Sequence, residues 1–245
     1  MDGQSKLRER RRRWIRLSCW LLVALVVVAG GPLGLLIRSA RGKHRAVLAL
    51  RERGAAVRYR DEALPQPDHQ LERHEFLQGL LVEVALVDFG DRDVGDDDLA
   101  WLEEFPDLET LVLRNTRVTD RGLSCLTRLR RLKYLDLHGT QIGDATLALV
   151  AEETDLQDLD LGETRVTDAG IGSLSRLAQL RSLDLSGTKL TAAALKPLGR
   201  LSQLRWLGLA EVLVDRATLD AWSRAHSQIV VSSGDDAATA SLPAR

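Results

Sequence analysis

Three aspartates stand 24 residues apart, Asp136, Asp160 and Asp184, each between two leucines, and Asp88 stands two such steps before the first. Carboxylates held about 5 Å apart repel one another unless a cation, a hydrogen-bond donor or a proton is shared between them. If the chain brings these residues into one file, the file favours a basic peptide, a polyamine or a divalent ion. Tyr134, Asp158, Ser182 and Trp206 precede the same positions by two and would form a second file beside it, with Tyr134 and Trp206 as aromatic anchors. His138 lies two residues after Asp136 and could form a proton pair with it, but such couples on a surface are mostly inert. Arg114 begins the first of the loops Arg114-Asn115, His138-Gly139 and Gly162-Glu163 that would extend the face.

Catalytic patterns are absent from the sequence: there is no GxSxG, no HExxH and no GxxxxGK[ST]. The two cysteines, Cys19 and Cys125, are too few and too far apart for a disulfide scaffold, a Cys-based zinc site or a CxxC centre. Cys125 fits as a small apolar residue. Gly90 to Asp98, GDRDVGDDD, has the look of a calcium loop. Its glycine comes one place early, however, and no Glu stands at the twelfth position. His69 and His74 are five apart, about 140° around a helix, and do not converge on one metal. The expectation is a non-enzyme without cofactor or metal.

What could align the aspartates is a repeat. Counting from Val84, Leu108, Leu132, Leu156, Leu180 and Leu204, the apolar pattern returns every 24 residues without a slip. Leu111 and Leu113 alternate with Val112, which predicts a short strand; Leu123, Leu126 and Leu129 recur at three, which predicts a short helix or 3₁₀ turn. One unit cannot bury both apolar faces, whereas stacked units bury a continuous core with parallel strands about 4.8 Å apart. Pairs such as Thr119-Asp120 and Thr167-Asp168 precede each helix, where they supply an N-cap oxygen and a negative charge at the positive helix end. That gives these aspartates a structural role.

The stretch Leu156 to Leu180, LQDLDLGETRVTDAGIGSLSRLAQL, resembles the bacterial 24-residue form of the leucine-rich repeat, LxxLxLxxTxVTDxGL. The resemblance implies an α/β leucine-rich-repeat solenoid, a right-handed curved stack with parallel strands on the concave face and short helices on the convex one. Six repeats cover residues 84–227, the last drifting as terminal repeats do. Many members of the superfamily carry an asparagine ladder where this chain has Thr116, Thr140, Thr164 and Thr188. A threonine hydroxyl can still bond neighbouring backbone.

The amino terminus is of another kind. Residues 1–60 carry fifteen Lys and Arg against three Asp and Glu, and the remainder nineteen against thirty-two, so net charges of +12 and −13 divide the chain. A basic tail over residues 1–16, with Arg10 to Arg13 consecutive, precedes 21 uncharged residues, Leu17 to Ile37, which at about 1.5 Å each match a bilayer core. The expectation is a transmembrane helix over 17–37 that anchors the chain in the cytoplasmic membrane, tail inside and repeats outside. A cleaved signal peptide is the competing reading, and the glycines and Pro32 in the second half weaken the helix. Without an aromatic stacking platform the basic run does not point to nucleic acid.

Residues 38–83 then form a juxtamembrane linker and N-terminal cap, with a helix ending at Gly54, a strand from Ala55 to Tyr59 and a helix over 69–78. Residues 228–245 add a last strand at Ile229 to Val231 and a disordered tail. This layout also resembles that of bacterial single-pass membrane proteins with leucine-rich ectodomains.

The functional expectation is an anchored, non-catalytic module that binds a protein or peptide, possibly basic, through Tyr134, Asp136, Asp158, Asp160, Asp184 and Trp206, with Arg114 and His138 at the rim. Six strands with three exposed residues each offer about 250 Å², against about 800 Å² per partner in a typical stable interface, so the loops must contribute. A structural envelope spacer or homotypic contact protein is an alternative reading. A ubiquitin-ligase-like substrate adaptor is a third, set back by the missing F-box-like segment. Oligomeric state and ligand identity are not encoded in any motif.

Overall fold

The computed structural model describes residues 39–60, 83–153 and 155–234. The chain divides into two units, and of the first only residues 39–44 are described; they are helical. No helix of the described residues is long and apolar enough to cross a membrane. The expected span Leu17 to Ile37, His69, His74 and the helix expected over 69–78 lie outside the described residues, as does the tail after residue 234.

The second unit is an eight-stranded sheet whose strands lie side by side in chain order. They are β1 (Ala56–Tyr59), β2 (Val84–Asp88), β3 (Thr110–Val112), β4 (Tyr134–Asp136), β5 (Asp158–Asp160), β6 (Ser182–Asp184), β7 (Trp206–Gly208) and β8 (Val230–Ser232). From β2 to β8 every pairing is parallel and in the same register, so Val87, Leu111, Leu135, Leu159, Leu183, Leu207 and Val231 form one file. Leu111, Leu135, Leu159, Leu183 and Leu207 are fully buried, each contributing about 2 kcal/mol by removal from water. Period-2 alternation then turns residues 134, 136 and their equivalents to the opposite face.

Strand β1 pairs antiparallel with β2 and covers the first edge. It follows a helix ending at residue 52, whose Ala46, Val47 and Leu50 join the same core. Gly54, at φ +84°, makes the left-handed turn between them. At the far edge the last strand is Val230–Ser232, one residue later than its leucine pattern predicts, because Ile229 goes into the core.

Opposite the sheet lie the 3₁₀ helices Asp96–Glu104 and Gly122–Arg128, the helix Asp144–Val150 and their successors. The terminal helix Arg216–Ala225 is tied back by the Trp222 indole N–H, which donates to the Leu195 carbonyl at 3.0 Å, and by the Trp222 ring stacked on His226.

The threonine file works as the hydroxyl chemistry suggests. Thr116, Thr140, Thr164 and Thr188 are buried, and each donates its hydroxyl to the carbonyl three residues back, on Leu113, Leu137, Leu161 and Leu185, at 2.5 to 2.6 Å. The bonds close the turn of their own coil and do not run between coils.

The aspartates before the helices do more than N-cap chemistry requires, and the expected picture needs correcting. The threonine is the cap: the Thr167 hydroxyl oxygen accepts from the Ala169 N–H and the Thr191 oxygen from Ala193. The carboxylates reach one coil onward. Asp96 accepts from the N–H and the hydroxyl of Thr119, Asp144 from those of Thr167, and Asp168 from those of Thr191, at 2.6 to 2.9 Å. Where the third coil has Gly143 in place of the threonine, Asp120 accepts from the Gly143 N–H and from both the N–H and hydroxyl of Thr146. The staple stops at Ala192, and Asp215 of the last coil bonds only Thr218 of its own helix.

Candidate functional site

The face of the sheet opposite the core collects the two files anticipated from the repeat. Asp136 lies in register with Asp160, and Asp160 with Asp184; beside them Tyr134 pairs with Asp158, Asp158 with Ser182 and Ser182 with Trp206. All of the candidate residues on the strands therefore share one face, and Arg114 and His138 stand at its rim. Asp136 and Asp160 are buried, whereas Asp184, Asp158, Tyr134 and Trp206 are partly exposed.

Each carboxylate of the file has a local task. Asp88, Asp136, Asp160 and Asp184 accept from the N–H two residues on, of Gly90, His138, Gly162 and Ser186, at 2.7 to 3.0 Å. This turn explains why aspartate recurs there. It leaves the second oxygen of each carboxylate for another partner.

That partner comes from the preceding coil. The Arg114 guanidinium is 3.7 Å from Asp136, and the His138 ring is 3.6 Å from Asp160 and 3.7 Å from Glu163. The expected couple of His138 with Asp136 is thus displaced by one coil: Asp136 takes only the backbone N–H of His138, and the imidazole faces Asp160. For Asp184 the equivalent position is Gly162, which brings no cation.

Burial pushes the Asp136 carboxyl above its usual range, against the pull of the His138 N–H and of Arg114. Burial, together with Asp136 and Asp184 on either side, raises Asp160 to about 6. Burial and the nearby Asp136 and Asp160 raise Tyr134 to about 12, so its hydroxyl keeps its proton. The face can therefore take up positive charge or protons, and no nucleophile is activated on it.

Leucine spacing alone did not single out three residues of this face. Ser182 is 5% exposed and its hydroxyl has no hydrogen-bond partner. Gly208 ends the carboxylate file, and a Cβ there would meet Asp184 Oδ1 at 2.4 Å and the Trp206 ring edge at 2.8 Å. Glu163 holds a left-handed backbone, φ 53°, in the turn position that Gly139 and Gly187 occupy in neighbouring coils. In the Gly90 to Asp98 stretch, Asp96 serves Thr119, and Asp98 accepts from the Gly95 N–H while pairing with Arg53 at 3.1 Å.

Parallel strands in 24-residue register, a threonine-closed turn and short helices behind define a leucine-rich-repeat solenoid, and by its fold this chain is a leucine-rich-repeat protein. Among solved structures, the ectodomain of the Arabidopsis receptor kinase HAESA, in complex with an N-terminally extended IDA peptide hormone ligand, is similar. It has a TM-score of 0.53 and 20% identity over 80% of this chain and 33% of that one. Two internalins of Listeria monocytogenes also align: InlF at 28% identity and TM-score 0.46 over 54% of this chain and 36% of that one, and internalin C2 at 22% and 0.44 over 64% and 82%. The chain spans about a third of the length of InlF and of the HAESA ectodomain. Neither a protein-family model nor a curated protein sequence matches it.

Proposed function

We propose that this protein is a non-catalytic interaction module whose carboxylate-lined sheet face binds a basic protein or peptide segment. The supporting observation is the shared face: Asp136, Asp160 and Asp184 stand in one file, Tyr134 and Trp206 flank it, and only the first two carboxylates have a cation from the neighbouring coil. Uncompensated negative charge beside aromatic rings attracts and orients a positive ligand. The HAESA ectodomain is a leucine-rich-repeat protein with a peptide bound, which makes a peptide a reasonable occupant; the likeness itself extends to the fold alone.

The module is held at the outer side of the cytoplasmic membrane by residues 17–37, with the basic tail inside, and its 24-residue coil is of the bacterial type. This part rests on the charge pattern and on the uncharged run. Alkaline phosphatase fused after Arg60 is active if the repeats are exported, and inactivity removes the display reading.

The binding reading is tested by changing Asp136, Asp160 and Asp184 together to Asn. An Asn oxygen still accepts the turn N–H, so the coil stays closed while the charge goes. Capture of basic peptides from a random library on the full-length protein is expected to fall at least about tenfold, as for the loss of charge-assisted contacts; unchanged capture overturns the proposal.

A structural or homotypic role is the second reading, and the last coil favours it: Leu213 is 71% and Val230 56% exposed. Concentration-dependent association that Leu213→Asp abolishes would support it.

A further inference from the structure

We propose that Asp184 and Trp206 form the anchor point of the binding face, a seat for one arginine or lysine side chain of the ligand; the inference rests on the basic-ligand reading above and gives it a place. The argument begins with the rule that each coil neutralises the next. Arg114 stands over Asp136 and His138 over Asp160, and the residue in that place before Asp184 is Gly162, with no side chain to offer. His138 closes over this glycine from the other side, since a Cβ on Gly162 would meet the His138 ring at 2.6 Å and Asp160 Oδ1 at 3.2 Å. Asp184 keeps one oxygen on the Ser186 N–H and has no ion pair among the described residues.

The opposite flank is prepared as well. The file ends at Gly208, where Asp184 Oδ1 and the edge of the Trp206 ring converge on the space a side chain would fill. An indole beside a carboxylate is a two-part receptor for a cation: the ring's π-face attracts the charge, and the carboxylate takes the N–H donors. No cation stacks on Trp206 among the described residues.

The independent pointer is Ser182. Its side chain shares a strand face with Asp184, two residues on, and lies in register with Trp206. It is more than nine-tenths buried, and its hydroxyl is the buried side-chain polar atom without a partner among the described residues. A buried hydroxyl left unpaired costs free energy that a ligand N–H recovers. A guanidinium or ammonium inserted between Asp184 and the Trp206 ring brings donors to both oxygens. The other charges near this point are Asp160, Asp158, Glu163 and His138, so the surroundings remain net negative whichever way His138 titrates.

The test uses the full 245-residue chain in a non-ionic detergent, because choline headgroups would compete for the indole. Its indole N–H resonances are labelled, and that of Trp206 is assigned through Trp206→Phe. The probes are blocked arginine and lysine amides, with blocked citrulline and norleucine amides as neutral partners of the same shape. Saturable millimolar shifts of the Trp206 resonance with arginine or lysine are expected, absent with the neutral probes and weakened at least about tenfold in Asp184→Asn. The arginine and lysine arms show which cation the seat prefers. An equal response to neutral probes, or full binding in Asp184→Asn, overturns the anchor. If basic peptides are captured and lost with the triple Asn change but kept in Asp184→Asn, the face reading stands and the anchor falls. If the Trp206 response appears without peptide capture, the anchor stands and the face reading falls.

Discussion

Glu153 occupies a leucine's place. Counting by 24 gives Phe105, Leu129, Glu153, Leu177 and Leu201, and all five backbone carbonyls accept the N–H three residues on. Glu153 is 5% exposed, and burial lifts its carboxyl to about 7, partly opposed by Arg130. A folded-state value above the unfolded one means the folded chain holds the proton more tightly. The site is therefore least costly below the ordinary glutamate range near 4.5, and its cost grows as pH rises through 7. Replacing it with leucine is expected to stabilise the protein by about 3 kcal/mol above pH 7 and to flatten this portion of the pH dependence. Urea unfolding of Glu153→Leu and of the parent at pH 5 and pH 8 measures both effects. The position could have been found by reading the leucine columns for exceptions as well as for agreement. At Thr116 and its equivalents the sequence was fully legible, because a hydroxyl at that point of a tight turn has one carbonyl in reach.

The element scale holds the staple between coils, which side-chain spacing conveys only once its geometry is known. In the sequence it is written as a swap: the second and fourth coils read TDxG, Thr119 to Gly122 and Thr167 to Gly170, and the third reads GDxT, Gly143 to Thr146. The glycine is needed where the preceding aspartate crowds it; a Cβ on Gly122 or Gly170 would lie 2.5 Å from Asp96 or Asp144. In the third coil the hydroxyl moves from the first place to the fourth and still meets Asp120. Local reasoning put these carboxylates on their own helix ends because capping is a within-element rule, whereas the actual donors are supplied by stacking. Thr146→Ala is expected to cost about 2 kcal/mol in urea unfolding, a charge-assisted bond lost at a buried position. At the broken step, Ala192→Asp alone would face Asp215 and destabilise the chain. Combined with Asp215→Thr it is expected to recover at least about 1 kcal/mol of coupling in a double-mutant cycle, seen as a higher melting temperature than either single change gives.

For the whole molecule, the repeat period determined most of what was readable: strand order, register, the common face and the core all follow from 24 residues returning in phase. The partners of the face charges did not follow, because they depend on which side chain of one coil leans over the next. Asp160 and Asp136 are raised by burial, as is Glu153. All three bind protons more tightly folded than unfolded, so total stability is expected to rise as pH falls from 8 to about 5. Removing the charges of Asp136, Asp160 and Asp184 with asparagine should raise the melting temperature at pH 8 and have little effect at pH 5, which calorimetry would register. The interrupted staple also gives the molecule a mechanical grain. Beyond Thr191 the last coil keeps its backbone bridge from Leu213 N–H to the Leu190 carbonyl but has no carboxylate bolt to the coil before it. Drawn by its two ends in an optical trap, the protein should yield first at that seam, releasing the residues after Thr191 in a low-force step before the body of the stack gives way. A carboxylate-threonine pair installed at 192 and 215 should merge the two events into one.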